Sequence, residues 1–258
     1  MLLAYDDVGP GPVVVLIHGF PLDRSMWAAQ RSSLGAIYRL ILPDLRGHGT
    51  SAAPDGIYTV DAMADDVLEL LDGLQLTMPV VFGGHSMGGY VALSIAARHP
   101  KRVKGLMLIN TRASGDSPES ARVREILAGQ VEASGEARDA MATMLPRLFA
   151  RSTFDTHPAL VAGTHERMAR TPARAISGTL RGLATRPDRT ADLPGIGVPT
   201  LVLAGAEDAV IPLDESRSMA GQIPGASFVV VPDSGHMAPM ENPGATDAAL
   251  LGFLESLW

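Results

Sequence analysis

Residues 80–97 read VVFGGHSMGGYVALSIAA, and this segment decides the fold class of the chain. It begins with the apolar run Val80-Val81-Phe82, passes through glycines on both sides of Ser86, and ends in an apolar stretch with helical spacing. A short apolar run closed by glycines is typical of a buried strand. We therefore predict a strand, a sharp turn at Ser86, and a helix over 90–97.

The same strand-like pattern recurs along the chain. Continuous apolar runs that end at turn or polar residues cover 13–17, 38–42, 103–109, 200–203 and 228–231. Helical patterns lie between the runs or beside them, at 60–74, 212–220 and 245–257. Continuous apolar runs suit strands that are buried on both faces. Together with the strand–helix alternation, they predict an α/β fold with a doubly wound, mostly parallel sheet and right-handed crossovers.

The middle of the chain, from about residue 113 to 190, shows no convincing strand. Ser117-Pro118-Glu119 is a typical helix start, with proline at the first helical position. Apolar residues at helical spacing follow at Val123, Ile126, Leu127, Val131, Met141, Met144, Leu145, Leu148, Met168, Ala175, Ile176, Leu180 and Leu183. The predicted organisation is a core domain of residues 1–112 and 191–258 with an all-helical insertion at 113–190.

Composition narrows the possible functions. The 258 residues are 46% apolar and 19% charged, which is typical of a globular protein and argues against a disordered chain. The formal charge of −7 argues against nucleic acid as a partner. The absence of cysteine excludes disulfides, thiolate zinc sites and cysteine nucleophiles. Acidic residues soon after Met1 and the lack of an apolar run of about 18 residues predict a cytoplasmic protein without a membrane span.

Charge is unevenly distributed along the sequence. Twelve of the 19 arginines lie between Arg112 and Arg189, which leaves that stretch near +3 and the remainder near −10. We expect most of these arginines to be solvated, although a few could attract a substrate carboxylate.

The pentapeptide Gly84-His85-Ser86-Met87-Gly88 matches the G-x-S-x-G pattern of a nucleophile elbow. Such a turn strains the serine backbone and exposes its hydroxyl, and a Cβ at either glycine would collide with the neighbouring helix or strand. The Met87 N–H would point from a helix N-terminus, where donors are unpaired and the dipole favours an anion. Ser86 is therefore a candidate nucleophile. The alternative is a tight glycine turn with an incidental serine.

Over essentially its whole length the chain resembles the α/β-hydrolase superfamily. Besides the elbow, the resemblance rests on His18-Gly19-Phe20-Pro21, on DLRGHGTS at 44–51, on Gly205-Ala206-Glu207-Asp208 and on Gly235-His236. It implies a catalytic triad in the order nucleophile, acid and base, which Ser86, Asp208 and His236 follow. It also implies that the Phe20 N–H joins that of Met87 in an oxyanion hole. The helical insertion at 113–190 corresponds to the family's cap over the substrate pocket.

Other residues compete for these roles. Asp233 lies three residues before His236 and belongs to the same predicted loop. Some relatives place the acid after the earlier strand, but Asn110 stands there and cannot carry a charge. Of the other histidines, His18 and His48 are expected to brace loops, and His85 occupies the variable position of the elbow.

Four residues are candidates for the substrate pocket: Pro21, Met26, Trp27 and Met237. The segment around Pro21 resembles those of carboxylesterases, 3-oxoadipate enol-lactonases and cofactor-free haloperoxidases (perhydrolases). In the last group a proline often follows the oxyanion residue directly, as Pro21 does here. Such a proline would restrict the loop and move the next carbonyl, which could favour hydrogen peroxide over water. The alternative is a simple stiffening of the loop.

The expected function is a serine hydrolase that cleaves small carboxylic esters or lactones through an acyl-serine intermediate. This chemistry requires no metal and no organic cofactor, and its partner is a small-molecule substrate. A serine nucleophile argues against the dehalogenase and epoxide-hydrolase branches, which use aspartate. Enol-lactone hydrolysis and perhydrolase activity are alternatives within the family. A non-catalytic ligand receptor on the same fold is a further one, because such receptors can retain the triad.

Overall fold

A single seven-stranded sheet forms the centre of the computed structural model, which describes residues 1–258. The strands are β1 (Tyr5–Val8), β2 (Val13–Ile17), β3 (Arg39–Pro43), β4 (Val80–His85), β5 (Val103–Ile109), β6 (Thr200–Gly205) and β7 (Ser227–Val231). Their order is β1-β3-β2-β4-β5-β6-β7, with only the β1–β3 pair antiparallel. The predicted mostly parallel α/β sheet is confirmed. The edge strand β1 is an addition that the apolar patterns did not indicate.

The chain also forms twelve α-helices, six of which lie in the segment between β5 and β6. The twelve helices are α1 (Ala28–Ser33), α2 (Val60–Gly73), α3 (Met87–Arg98), α4 (Pro118–Ser134), α5 (Arg138–Ala142), α6 (Leu145–Leu148), α7 (Arg151–Thr156), α8 (Pro158–Arg170), α9 (Ala173–Ala184), α10 (Leu213–Gln222), α11 (Ala238–Glu241) and α12 (Pro243–Glu255). Helix α3 begins three residues earlier than the sequence predicted, directly after Ser86. None of the helices combines the length and the apolar character that a bilayer span requires.

The central strands are covered on both faces. Every residue of β4 and of β6 is buried, as is the segment Val14–Ile17 of β2. Burial on both faces explains why these strands read as continuous apolar runs and not as alternating ones. The core therefore holds the ends of the central strands in fixed positions.

Six helices, α4 to α9, occupy the chain between β5 and β6. Helix α4 begins at Pro118, and the side chain of Ser117 caps it by accepting a hydrogen bond from the Ser120 N–H. Two residues with helical spacing, Val123 and Ile126, are 58% and 53% exposed. Helix α4 packs mainly along α9 through the face that carries Val131, so the apolar side chains on its other side face solvent.

Half of the arginines between Arg112 and Arg189 form ion pairs with carboxylates. Arg112, Arg124 and Arg186 surround Asp116, whose side chain has no exposed surface. Three other arginines of this stretch also pair with carboxylates: Arg138, Arg181 and Arg189. Neighbouring carboxylates in the folded protein thus neutralise much of the positive charge of this stretch.

Candidate active site

Five adjacent strands of the sheet end at one edge, and the candidate residues follow them. Phe20 comes after β2, Ser86 after β4, Asn110 after β5, Asp208 after β6 and His236 after β7. These strands are mutually parallel, so their carboxyl ends lie side by side. Loops at this edge of an α/β sheet form a crevice suited to ligands.

Ser86 lies in a strained turn between β4 and α3. Its φ of 50° and ψ of −111° are unfavourable for a residue with a side chain. The backbone is held because the Ser86 N–H donates to the Ile109 carbonyl at 2.9 Å and the Ser86 carbonyl accepts from Thr111 Oγ1 at 2.8 Å. Ser86 occupies the N-cap position of α3, yet its half-buried hydroxyl makes no capping hydrogen bond. The fold therefore leaves this hydroxyl unused.

Close backbone packing requires glycine on both sides of Ser86. A Cβ on Gly84 would lie 2.1 Å from the Gly88 carbonyl oxygen. A Cβ on Gly88 would lie 2.2 Å from the Ile17 carbonyl oxygen and 2.8 Å from that of His18. The end of β2 is thus pressed against the first turn of α3.

Gly88→Ala is expected to destabilise the fold by about 1–3 kcal/mol, because the added methyl meets backbone atoms that cannot rotate away. The matched control is Gly129→Ala in α4, where a Cβ would meet nothing within 4 Å. The control should gain about 0.5–1 kcal/mol from helix propensity. Urea unfolding measures both changes. A Gly88→Ala protein as stable as the wild type would contradict the packing described here.

Two backbone N–H groups near this turn lack partners within the protein. Met87 is the first residue of α3, so its N–H has no acceptor in the helix. The Phe20 N–H donates no backbone hydrogen bond. The loop before Phe20 touches the elbow, since a Cβ on Gly19 would lie 3.3 Å from the His85 carbonyl oxygen. Two free donors, one of them at a helix N-terminus, suit an anion.

Asp208 and His236 form a buried pair. His236 Nδ1 lies 2.8 Å from Asp208 Oδ2, and the residues are 3% and 9% exposed respectively. Asp208 Oδ1 accepts from the N–H groups of Val210 and Ile211 at 2.8 and 2.9 Å. Burial by itself raises the pKa of Asp208, but the facing His236 and the surrounding donors outweigh burial and lower it. An ionised Asp208 therefore orients the imidazole through Nδ1.

Two residues support this pair in ways that sequence reasoning missed. Asn110 Nδ2 donates to Asp208 Oδ2 at 2.9 Å and to the Gly235 carbonyl at 3.2 Å, so it ties the acid to the histidine loop. His85 Nε2 donates to the His236 carbonyl at 2.7 Å. Asn110 directly follows β5 at the edge where the other candidate residues lie, and this position could have indicated its supporting role. No sequence pattern pointed to His85.

The rival acid, Asp233, is exposed and forms no ion pair with His236. It adopts a φ of 51° within the loop between β7 and α11. The loop geometry thus turns the Asp233 side chain toward solvent, and Asp208 is the carboxylate in contact with the imidazole.

All four predicted pocket residues are buried: Pro21, Met26, Trp27 and Met237. The Phe20–Pro21 peptide bond is cis, and the Pro21 carbonyl accepts from Thr171 Oγ1 at 3.2 Å. Met26 Sδ accepts from the Gly19 N–H at 3.4 Å. Pro21 and Met26 therefore help to hold the loop that carries the Phe20 N–H.

Three further histidines near the site are buried and neutral at pH 7. His18 Nε2 accepts from the Leu45 N–H at 2.9 Å, and His48 Nδ1 donates to the Arg46 carbonyl at 2.9 Å. Burial lowers the pKa of His18 to about 4 and the pKa values of His48 and His85 to about 3. No group of three or more His, Asp or Glu side chains is placed to hold a metal ion.

Acidification from pH 6.5 to 4.5 is expected to destabilise the protein through these histidines. Their pKa values rise toward 6.5 on unfolding, so in this window the unfolded chain binds protons that the folded chain does not. Each histidine then removes up to about 1.4 kcal/mol of unfolding free energy per pH unit, the full slope being reached about one pH unit below 6.5. Urea unfolding at several pH values measures the slope, and His48→Gln should reduce it by about one third. A stability independent of pH across this window would contradict the assignment.

Comparisons with known proteins agree with this architecture. A family model described as the alpha/beta hydrolase fold matches residues 12–243. The malate-bound structure of a thermophilic esterase from Thermogutta terrifontis superposes with a TM-score of 0.96 at 44% identity, covering 99% of this chain and 93% of that one. 3-Oxoadipate enol-lactonase 1 of Acinetobacter baylyi is 30% identical over 95% of this chain and 90% of its own length. The dihydrolipoyllysine-residue acetyltransferase component of an acetoin cleaving system of Pseudomonas putida is 32% identical over 95% of this chain, which spans 64% of that relative. The chain belongs to the α/β-hydrolase fold family.

Proposed function

We propose that this protein is a serine hydrolase that cleaves small carboxylic esters or lactones through an acyl-serine intermediate. The observation that carries the proposal is the 2.8 Å contact of His236 Nδ1 with Asp208 Oδ2, at the sheet edge where Ser86 presents an unused hydroxyl. The similarity to an esterase and to an enol-lactonase supports the substrate class.

The proposed mechanism begins when His236 Nε2 takes the proton of Ser86 Oγ as the serine attacks the substrate carbonyl. Asp208 stabilises the imidazolium that forms. The tetrahedral oxyanion accepts hydrogen bonds from the N–H groups of Met87 and Phe20, each worth about 2.7–4 kcal/mol of barrier. The imidazolium then protonates the leaving oxygen. In the second half, His236 activates a water molecule that releases the acid and restores Ser86.

Residues 113–190 act in this proposal as a cap over the substrate, on a core formed by 1–112 and 191–258. Three contacts between the two parts support this role. The Met237 N–H donates to the Leu148 carbonyl at 3.1 Å, and Thr171 Oγ1 donates to the Pro21 carbonyl at 3.2 Å. Arg147 donates to the Ala209 carbonyl at 2.8 Å. The helices thus touch the loops that follow β2, β6 and β7.

A fluorophosphonate probe tests the proposal on the wild-type protein. We expect one covalent adduct per chain, located on Ser86 by peptide mass spectrometry, and a parallel loss of p-nitrophenyl acetate hydrolysis. A protein that neither reacts with the probe nor hydrolyses any ester of a short-chain panel would refute the proposal and favour a ligand receptor.

Enol-lactone hydrolysis is the second candidate, and the similarity to 3-oxoadipate enol-lactonase 1 favours it. Comparing kcat/KM for 3-oxoadipate enol-lactone with that for short p-nitrophenyl esters separates the two. A strong preference for the lactone would replace the general esterase assignment. Peracid formation from acetate and hydrogen peroxide, measured in the same series, tests the perhydrolase alternative suggested by Pro21.

A further inference from the structure

Glu241, the last residue of α11, carries a buried carboxylate that holds the loop around His236. Its Oε1 accepts hydrogen bonds from the Gly235 N–H at 2.8 Å and from the Met237 N–H at 3.1 Å. These two residues flank His236 directly. On the basis of the proposed function, we infer that Glu241 is a positioning residue for His236 and that it couples the cap to this base.

The second carboxylate oxygen reaches the cap. Oε2 accepts from the Ala150 N–H at 2.7 Å and from Thr153 Oγ1 at 2.7 Å, at the beginning of α7. Direct packing accompanies these bonds, since a Cβ on Gly235 would lie 2.6 Å from the Ala150 backbone nitrogen. One side chain therefore connects the first turn of α7 with both neighbours of His236.

The chemistry of this site favours a specific role over general packing. No arginine or lysine pairs with Glu241, so only hydrogen-bond donors offset its burial, and burial raises its pKa despite these four donors. A buried carboxylate without a cation costs more than an apolar side chain of similar size. Three of its four partners are backbone N–H groups, and an apolar residue would leave those of Gly235 and Ala150 unsatisfied.

Contacts with other parts of the chain complete the support of the histidine loop. His85 holds the His236 carbonyl, and Asn110 holds the Gly235 carbonyl. Glu241 accepts from the N–H groups on both sides of His236 and also touches the cap, and the Leu148 carbonyl of the cap accepts a second hydrogen bond from the Met237 N–H at 3.1 Å. Without Glu241, the loop can shift, and His236 then moves relative to Ser86.

Glu241→Ala is expected to lower kcat about 10²-fold, a loss that a 1 Å misplacement of the reacting groups can cause, with little change in KM. Rates are divided by the number of reactive sites, counted as the endpoint of fluorophosphonate labelling, so that unfolded protein does not contribute. Glu241→Gln retains one oxygen and so can serve only one pair of donors, and it should fall between the wild type and alanine. Thr153→Val removes one cap donor and should have the smallest effect.

Asp116→Asn is the matched control, because Asp116 is also a buried carboxylate that ties the helical segment together but does not touch the His236 loop. It should lower the urea midpoint without changing kcat per reactive site. A second readout is the downfield proton resonance of His236 Nδ1–H, which Glu241→Ala should broaden or shift and Asp116→Asn should leave in place.

A Glu241→Ala or Glu241→Gln protein with wild-type kcat per site and an unchanged resonance would overturn the inference. So would a loss confined to the number of reactive sites, since that is the signature of a purely structural residue. If the wild type itself neither labels nor hydrolyses esters, the proposed function fails, and the resonance alone then decides whether Glu241 positions His236.

Discussion

Replacing Ser86 by alanine is expected to lower kcat about 10⁶-fold, the loss seen when the nucleophile of a serine triad is removed. In the proposed mechanism the Ser86 hydroxyl oxygen forms the acyl bond, and no neighbouring cysteine or threonine side chain replaces it in the elbow, where His85 and Met87 flank it. Residual hydrolysis would come only from the oxyanion donors and from binding.

The substitution should leave the fold intact, which makes the result interpretable. The Ser86 hydroxyl caps no backbone group, and the backbone bonds to Ile109 and Thr111 do not involve it. Ser117→Ala is the matched control, because Ser117 caps α4 through its hydroxyl. We expect that control to lose about 0.5–2 kcal/mol of stability with unchanged kcat.

The measurement is p-nitrophenyl acetate hydrolysis together with fluorophosphonate labelling, followed by urea unfolding of both variants. The expected residual rate is far below one hundredth of the wild-type rate. If Ser86→Ala retained more than about one hundredth of that rate, a different nucleophile would have to be found.

Asp208→Asn is expected to lower kcat about 10⁴-fold by placing the wrong tautomer of His236 in the site. The N–H groups of Val210 and Ile211 face Oδ1, so the amide oxygen of the new side chain must take that position. Its NH₂ group then faces His236 Nδ1 and donates to it.

An imidazole that accepts at Nδ1 carries its proton on Nε2, where it cannot take the proton of Ser86. The new NH₂ group also meets the Asn110 amide, which donates to the same position in the wild type at 2.9 Å. Both effects oppose catalysis without creating a cavity, because asparagine and aspartate have nearly the same shape.

Asp233→Asn is the matched control, since it makes the same chemical change at an exposed position three residues before His236. Its kcat and its pH profile should equal those of the wild type. Equal activities of Asp208→Asn and the wild type would remove Asp208 from the proposed triad, and a large loss in Asp233→Asn would indicate that the loop rearranges to use the other acid.

Much of the fold could be predicted because its signals are local. The runs at 13–17 and 103–109 coincide with β2 and β5, since strands buried on both faces need continuous apolar sequence. The edge strand β1, Tyr5-Asp6-Asp7-Val8, alternates between exposed and half-buried residues and is only four residues long, which left no recognisable pattern.

Some residues of the candidate site could be named from the sequence, and others could be given a role only from the structure. Ser86 and the glycines around it belong to one continuous turn that the sequence shows directly. Asp208 and His236 each follow a predicted strand, and the resemblance to the α/β-hydrolase superfamily implied that these positions hold the acid and the base. Asn110 and His85 could not be given their supporting roles. Their partners lie 98 to 151 residues away along the chain, and only the folded loops bring them together.

The sequence by itself determined the order of strands and helices, the strained turn at Ser86, and the strand ends that carry the acid and the histidine. These features depend on residues close together in the chain, whose backbone preferences and apolar spacing act locally. The tertiary structure alone decided which side chains support Asp208 and His236, which faces of the inserted helices are exposed, and that Glu241 joins the histidine loop to α7. Those outcomes depend on which buried donors find acceptors across the sheet edge, and no segment carries that information alone.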